Sequence, residues 1–178
     1  WALLTSIADV DDVEDQIDIA GSHFFDDTTI SESNWDSRWT ELVTKSDVPV
    51  WFTESTRFKT TDSHTNLLNG LDHIFPAIRG GVQRVIFYQV CKRFVYANGS
   101  TQPIKYSGFQ NIVNNADGKV VPSSADDSKI KTVVFGEGNM LNLHILNRNT
   151  SAIAITIQLM NSYSNKGTEI HVFVSTNL

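Results

Sequence analysis

Strand-like runs recur in the first half of this chain at a spacing of about thirty residues, which is the length of a βα unit. The runs cover residues 17–25, 48–54 and 84–90. The second and third are almost continuous apolar stretches, a pattern typical of parallel strands that are covered on both faces. This spacing therefore predicts a βαβαβ arrangement.

The stretches between these runs have the apolar periodicity of helices. In the first, after the possible capping residues Ser31, Ser33 and Asn34, one face carries Trp35, Trp39, Leu42 and Val43. A second helix is predicted from about Ser63 to Ile78, and Gly80 and Gly81 end it. Trp35 and Trp39 could provide a surface on which a sugar ring stacks, but their helical spacing favours a position in the hydrophobic core.

From Gln102 onward the pattern changes, and no helical period is recognised there. Closely spaced strands are predicted at 130–135, 140–146, 152–159 and 170–174. In the third of these, Ile153, Ile155 and Ile157 alternate with smaller or polar residues, which is the period of a strand. The sequence predicts an α/β part at 1–101 and an all-β domain at 102–178, an antiparallel β-sandwich that lacks a strand or two.

Composition excludes several classes of function. The formal net charge of -6 does not fit a protein that binds nucleic acid, whose phosphates attract a basic surface. The chain has no apolar run of the ~18–20 residues that a membrane span needs. The five histidines are not paired at helical spacing, and a single cysteine, Cys91, cannot build a thiolate site. Phosphate-binding glycine motifs are missing as well. We therefore expect no metal and no cofactor.

Glu54 is the residue whose position most invites a chemical role. Alternation along the second run places Val50, Phe52 and Glu54 on one side, so that a carboxylate closes an apolar strand at its carboxyl end. Burying a carboxylate without a partner costs free energy, so its presence at this position needs an explanation. One reason is catalysis, since polar groups at the carboxyl ends of barrel strands are commonly catalytic. The other is a structural role as a helix cap or as the ion-pair partner of Arg57.

Further candidates end the other two runs. His23 closes the first run on the same side as Gly21, which has no side chain and lets a ligand or a neighbouring backbone come close. His23 can equally be a structural histidine. Tyr88 and Gln89 close the third run.

Three segments together resemble a known group of enzymes: Ile19-Ala20-Gly21-Ser22-His23-Phe24-Phe25, Pro49-Val50-Trp51-Phe52-Thr53-Glu54, and Gly81-Val82 through Phe87-Tyr88. They are similar to strands six, seven and eight of clan A retaining glycoside hydrolases. In that clan the nucleophilic glutamate ends strand seven, often within Trp-x-Thr-Glu. Some relatives, such as families 30, 39 and 79, continue into a C-terminal β-sandwich. The resemblance implies that 1–101 is the C-terminal portion of a (β/α)8 barrel.

The resemblance also implies roles for individual residues. Glu54 would be the nucleophile, with His23, Phe25, Trp51, Tyr88 and Gln89 contacting the substrate. Phe25 stands where the clan often has tyrosine, so a tyrosine–nucleophile hydrogen bond is not expected. The acid/base glutamate of the clan lies at the end of strand four, outside this sequence. A carbohydrate substrate, a separate N-terminal chain or segment that completes the barrel, and secretion as a glycoprotein are therefore expected.

Two alternatives remain open at the level of sequence. The fold can be reused as a non-catalytic extracellular module that binds carbohydrate or serves a structural role, with Glu54 as a relic. The chain can also be an unrelated α+β domain, in which case Glu54 is exposed and paired with Arg57. Two Asn-x-Ser/Thr sequons, at Asn98 and Asn149, permit glycosylation without establishing it.

Overall fold

The structure, a computed structural model, describes residues 17–23, 32–54, 57–87 and 89–159. The chain forms two compact units, Trp1–Tyr106 and Ser107–Leu178. The sequence placed its boundary between residues 101 and 102, and the assignment of domains to the two parts stays a prediction. Among the described residues, no helix combines the length and the apolar character required to cross a membrane.

The first unit contains a parallel sheet of three short strands. Strands β1 (Ala20–Ser22), β2 (Val50–Phe52) and β3 (Arg84–Val85) lie side by side in that order. All three follow the predicted βαβαβ order, and each is shorter than the run that predicted it. Parallel strands placed next to each other need a crossover connection, and the two helices between them supply it.

Helix α1 (Trp35–Lys45) follows a 3₁₀ turn at Glu32–Asn34, and helix α2 (His64–Arg79) follows the N-cap Ser63. The Ser63 hydroxyl accepts the backbone N–H of Asn66 at 3.2 Å, which satisfies one of the free donors of the first turn. Pro76 lies inside α2, and Gly80 caps its C-terminus. Both helices therefore form close to the positions predicted from their periodicity and caps.

The helices pack on the sheet through aromatic side chains. The Phe52 ring is completely buried and lies edge-on to Trp39 of α1 and His73 of α2, with both ring centroids 5.2 Å away. The first turn of α1 is joined to the last turn of α2 by two bonds from Arg79 to the Asp36 carboxylate, at 2.6 and 2.8 Å. Trp35 and Trp39 are both buried, in agreement with the core interpretation.

A second aromatic cluster packs beside α2. The ring of Phe58 lies 5.4 Å from that of Phe87 and 4.8 Å from that of Phe94. Gly70 of α2 makes room for Phe58, because a Cβ at this position would lie 2.3 Å from the ring. The loop that follows β2 is thus anchored by its own buried phenylalanine.

Helix α3 (Pro103–Val113) was not predicted, so the absence of a helix after Gln102 was a wrong expectation. Its first turn is stabilised from a distance, since the Asp62 carboxylate accepts the backbone N–H groups of Ile104 and Lys105 at 3.2 and 3.0 Å. A cap supplied by a residue some forty positions earlier leaves no local pattern to recognise. Pro103 at the first helical position was the local signal that was overlooked.

The second unit contains an antiparallel sheet in the order β4 (Lys119–Val121), β5 (Ile130–Glu137) and β6 (Met140–Asn147). Strands β5 and β6 pair along their whole lengths, from Ile130 opposite Asn147 to Glu137 opposite Met140. Gly138 begins their two-residue turn with a positive φ of 59°, which favours glycine. The strands predicted at 130–135 and 140–146 are therefore confirmed.

The predicted strand at 152–159 is wrong. These residues have no regular secondary structure, and Ile153, Ile155 and Ile157 are 37, 46 and 37% exposed. The alternating pattern concerns only the side chains, whereas a strand also needs a neighbouring strand to form hydrogen bonds with its backbone N–H and C=O groups. The strand predicted at 170–174 lies outside the described residues, and the β-sandwich stays a prediction.

Candidate functional site

The pairing register shows which side chains share a face of the parallel sheet. Gly21, Trp51 and Arg84 are neighbours across the three strands. Because side chains alternate along a strand, these three lie on the opposite face from Phe52, which contacts both helices. Val50, on the same face as Phe52, is 2% exposed. One face of the sheet therefore packs against α1 and α2. The opposite face is called here the second face, and these two helices do not cover it.

Apolar side chains are exposed on the second face. Backbone pairing continues past the strand bounds, since Ala20 N–H donates to the Pro49 carbonyl and Ile86 N–H to the Phe52 carbonyl, at 2.9 and 2.8 Å. Alternation from Gly21 and Arg84 therefore puts Ile19 and Ile86 on this face, where they are 40 and 44% exposed. Trp51 lies half-buried between them in the order of the strands. Exposed apolar side chains on one face of a sheet form a surface that gains stability when it is covered.

At the carboxyl ends of the strands, His23 lies level with Thr53. The backbone N–H of Thr53 donates to the Ser22 carbonyl at 2.9 Å, which extends the pairing of β1 and β2 by one step. The Thr53 hydroxyl is 3.2 Å from the same carbonyl, and its Oγ1 is 3.3 Å from Nδ1 of His23. The two strand ends are thereby joined by both backbone and side-chain hydrogen bonds.

Glu54 follows Thr53 directly and is half-buried. Strand β2 ends at Phe52, so Glu54 is not the last strand residue, as the sequence predicted, but lies two positions beyond it. Strict alternation would place it on the helix-packed face with Phe52, and this rule stops applying where the strand stops. The loop after β2, rather than the pleat, decides where the carboxylate points.

Arg57, the alternative partner of Glu54, is engaged elsewhere. Its guanidinium lies over the ring of Trp35, with Cζ 5.1 Å from the ring centroid, in a cation–π geometry. Between these two residues, both of which the structure describes, no ion pair is formed. The expectation of an exposed Glu54 paired with Arg57 therefore does not describe this site.

The other predicted site residues are distributed as follows. Trp51 is half-buried on the second face. Gln89 is exposed and has a left-handed backbone, with φ 58° and ψ 67°, immediately before the irregular segment Val90–Arg93. Phe25 and Tyr88 lie outside the described residues. Trp51, His23 and Glu54 are thus placed at or near the carboxyl end of the sheet, while the roles assigned to all of them stay predictions.

Sequence reasoning overlooked Thr53, although it stands beside Glu54 in the quoted motif. It also assigned Gly21 to the approach of a ligand or a backbone, whereas the close neighbour is the Thr53 side chain. A Cβ at Gly21 would lie only 2.9 Å from Cγ2 of Thr53. The available signal was a glycine on one strand and a hydroxyl residue directly after the next strand, at positions 21 and 53.

Residues 58 and 59, after Glu54, are held by one side chain from the segment before α3 and by one from the first turn of α3. Arg93 donates to the Phe58 carbonyl at 2.7 Å, and the buried Lys105 ammonium donates to the Lys59 carbonyl. Burial lowers the pKa of Lys105, and the nearby Asp62 carboxylate opposes this effect. These bonds anchor the loop at several points between residues 58 and 62.

The fold and the strand ends together describe an α/β arrangement with polar side chains at the carboxyl end of a parallel sheet. No protein-family model matches the sequence, and no curated protein matches it significantly. The fold is similar to that of several solved structures, among them a GH30 endoxylanase from Clostridium papyrosolvens C71, with a TM-score of 0.60 and 16% sequence identity. The match covers 83% of this chain and 38% of that enzyme. At a coarse level, the fold of this chain therefore resembles part of the fold of that enzyme.

Proposed function

We propose that this chain is a segment of a retaining glycoside hydrolase that acts on a β-linked polysaccharide or glycoside, with Glu54 as the nucleophile. The observation that carries the proposal is the position of His23, Thr53 and Glu54 at the carboxyl ends of two neighbouring parallel strands. Active sites of βα barrels lie at this end of the sheet. The similarity to an endoxylanase fold supports a carbohydrate as the substrate.

The proposed chemistry is a double displacement. The Glu54 carboxylate attacks the anomeric carbon while the bond to the leaving oxygen breaks, and a second carboxyl group protonates that oxygen. Water then attacks the glycosyl-enzyme, and the second carboxylate takes its proton. In retaining enzymes the two carboxyl groups are ~5–5.5 Å apart. We assign the second group to an N-terminal chain or segment that completes the barrel.

The remaining candidates are proposed to bind the sugar. His23 offers a ring nitrogen for a hydroxyl group, and Trp51 offers a flat apolar surface on which a sugar ring can stack. Phe25, Tyr88 and Gln89 are proposed to line the same subsites. We also propose secretion, because a polysaccharide is too large to enter a cell intact.

The second face of the sheet supports the idea of an incomplete barrel. Ile19 and Ile86 are exposed there, and in a closed (β/α)8 barrel the inward side chains fill the interior in layers. A complete barrel takes ~250 residues, far more than the three βα units of this chain. The 178-residue chain alone is therefore expected to be inactive.

The test uses the longest polypeptide that contains this sequence, incubated with β-1,4-xylan and with aryl β-glycosides. Glu54→Gln is expected to lower kcat by on the order of 10⁴-fold, because it removes the nucleophile but keeps the shape. Glu41→Gln is the matched control, since Glu41 lies on α1 and pairs with Arg38 and Lys45.

A 2-fluoroglycoside that reacts with the nucleophile sharpens this test. Mass spectrometry is expected to find the sugar attached to Glu54 in the wild-type protein and in Glu41→Gln. Full activity in Glu54→Gln, or a label on a different carboxylate, would contradict the assignment. Binding of xylan oligosaccharides without any turnover would favour the non-catalytic module instead.

A further inference from the structure

We propose that Asn98 is a site at which this chain carries an N-linked glycan, and that the fold disfavours a glycan at Asn149. Both residues lie in Asn-x-Ser/Thr sequons, the acceptor pattern of N-glycosylation, and the sequence does not distinguish them. The inference rests on the secretion proposed above, because glycans of this kind are added to chains that enter the secretory pathway. It assigns a modification site and involves none of the proposed catalytic or sugar-binding residues.

Asn98 lies at the tip of a short turn with an anchored base. Within the turn, the backbone N–H of Tyr96 donates to the Ser100 carbonyl at 2.8 Å. At the base, the backbone N–H of the buried Gln102 donates to the carbonyl of the buried Phe94 at 2.7 Å. Every residue from Tyr96 to Ser100 is exposed. The tip is therefore accessible, while the base belongs to the packed part of the first unit.

The amide nitrogen of Asn98 is not engaged in the turn. The backbone N–H and the hydroxyl of Ser100 lie 3.1 and 2.7 Å from Oδ1 of Asn98. A backbone N–H can only donate, so the atom that it contacts is the side-chain oxygen, and the nitrogen is the other atom of the carboxamide. Among the residues that the structure describes, Nδ2 of Asn98 has no hydrogen-bond partner. The atom that must receive the sugar is thus available.

The middle residue of this sequon, Gly99, leaves open space beside the acceptor. Its φ of 83° lies in the left-handed region, which glycine adopts without strain. A Cβ built on Gly99 would meet no atom within 4 Å. A glycan on Asn98 can therefore extend into solvent without displacing a packed side chain of the described residues.

Asn149 is half-buried, and its amide nitrogen is engaged. Nδ2 donates to Oδ2 of Asp127 at 3.0 Å, and the backbone N–H of Asn149 donates to Oδ1 of Asn147 at 2.9 Å. The backbone N–H of Arg148 donates to the Lys129 carbonyl at 3.0 Å. These bonds hold the end of β6 against the residues just before β5. A sugar on Asn149 would be attached to an atom that already joins two parts of the second unit.

The proposed modification is a group transfer to an amide nitrogen. Nδ2 of Asn98 forms a bond to the anomeric carbon of a lipid-linked oligosaccharide, while the bond from that carbon to the lipid diphosphate breaks. The diphosphate leaves with the electron pair, and one of the two amide protons passes to a base of the transferase. Nδ2 of Asn149 would first have to give up its bond to Asp127.

The experiment offers the folded protein to a transferase, so that the fold alone distinguishes the two sequons. The longest polypeptide that contains this sequence is made in bacteria without glycans and incubated with a single-subunit oligosaccharyltransferase and a lipid-linked oligosaccharide. Peptide N-glycosidase in heavy-oxygen water then converts each glycosylated asparagine to labelled aspartate, which mass spectrometry of the peptides measures. Synthetic peptides 94–104 and 145–155 are controls that contain the sequons without the fold.

In the folded protein, label at Asn98 is expected to exceed label at Asn149 on the order of ten-fold, the ratio that one net hydrogen bond gives. The two peptides are expected to be labelled to similar extents. Asp127→Ala is expected to raise the label at Asn149, because it releases the amide.

Ser100→Ala is the matched control for Asn98. It keeps the Asn-Gly pair, which can also hydrolyse without a glycan, but it removes the hydroxyl that the acceptor pattern requires. Its label therefore measures the background, whereas Ser100→Thr is expected to retain the wild-type label.

The proposal is overturned if Asn98 of the folded protein is not labelled above the Ser100→Ala background, or if Asn98 and Asn149 are labelled equally. An unlabelled Asn98 in protein that a eukaryotic host secretes behind a supplied signal peptide overturns it as well. A protein that is labelled at Asn98 but never cleaves xylan or aryl glycosides would instead contradict the proposed function and leave this assignment intact.

Discussion

The two units of this chain stabilise their sheets in different ways. In the parallel sheet of the first unit, β1 and β2 have three residues each and β3 has two, so few backbone hydrogen bonds join them. In the second unit, β5 and β6 have eight residues each and pair along their full length. The first sheet therefore depends on side chains from α1 and α2, whereas the second depends on its own ladder.

This difference matters for the candidate site. His23 and Glu54 follow strands that are too short to determine the position of a side chain by themselves. Their geometry relies on Phe52 beneath the sheet and on Thr53 between the strand ends. Substitutions in the core of the first unit are therefore expected to alter the geometry of the site, whereas similar substitutions in the second unit are not.

Removing the same side chain from each sheet gives the largest expected effect. Phe52 is completely buried and Phe135 of β5 is 6% exposed. Each Phe→Ala change is expected to cost about 4 kcal/mol of unfolding free energy, through lost burial and the cavity left behind. Hydrogen exchange is expected to rise in α1, α2 and the parallel strands for Phe52→Ala, but in β4, β5 and β6 for Phe135→Ala.

The two variants are controls for each other. If either one raises exchange equally in both sheets, the two units do not unfold separately and the comparison fails. If Phe135→Ala changes the NMR signals of the His23 ring as much as Phe52→Ala does, the site does not depend specifically on the first core.

A smaller effect is expected from the ion pair between α1 and α2. Arg79 contacts both oxygens of Asp36, and its side chain is 19% exposed against 46% for Asp36. Arg79→Lys loses the two-bond geometry and is expected to cost about 1 kcal/mol, since solvent screens part of the attraction. Urea unfolding at low and high salt measures this cost.

Arg38→Lys is the matched control for that change. Arg38 makes one bond to Glu41 at 3.0 Å and is 48% exposed, so its replacement is expected to cost about 0.3 kcal/mol or less. Equal costs for the two variants would mean that the junction of α1 and α2 contributes no more than an ordinary surface pair.

The second unit is expected to have a pH dependence of its own. Burial lowers the pKa of His144, and its hydrogen bond to the Asn115 carbonyl opposes this. The unfolded chain, with a histidine pKa of about 6.5, thus takes up a proton before the folded chain does. Stability is therefore kept above about pH 6.5 and lost as the pH falls toward the lower pKa of the folded state.

His144→Gln removes the titrating group and is expected to flatten this loss in the antiparallel unit. Urea unfolding between pH 7.5 and 5, followed by hydrogen exchange in β5 and β6, measures the slope. The same slope in the wild-type protein and in His144→Gln would show that another group is responsible.

Local patterns were sufficient wherever an element is stabilised by its own residues. Helix α2 has its cap at Ser63, its apolar face and its terminating Gly80 within one stretch, and it was predicted nearly to the residue. Helix α3 is capped by Asp62 from elsewhere in the chain and was missed. The stretch at 152–159 has the period of a strand but no regular secondary structure. Alternation of side chains does not by itself provide a second strand with which the backbone can form hydrogen bonds.

The candidate site shows the same difference between residues that local patterns identify and contacts that they do not. The sequence pointed to His23 and Glu54, because polar residues at the ends of apolar runs are recognisable by position, and the resemblance to clan A glycoside hydrolases added Trp51. It could not identify Thr53 as the neighbour of His23, since that contact depends on the register of β1 against β2. Nor could it foresee that β2 ends at Phe52, which leaves the direction of Glu54 to the following loop.

The sequence by itself determined the βαβαβ order of the three parallel strands and the two helices between them, but not the residues at which the strands end. It did so because periodicity and capping act within a few residues of each other along the chain. The tertiary structure alone decided the pairing of His23 with Thr53, the fit of Thr53 against Gly21 and the capping of α3 by Asp62. Each of these contacts joins residues thirty or more positions apart, and only the register and packing of the folded chain bring them together.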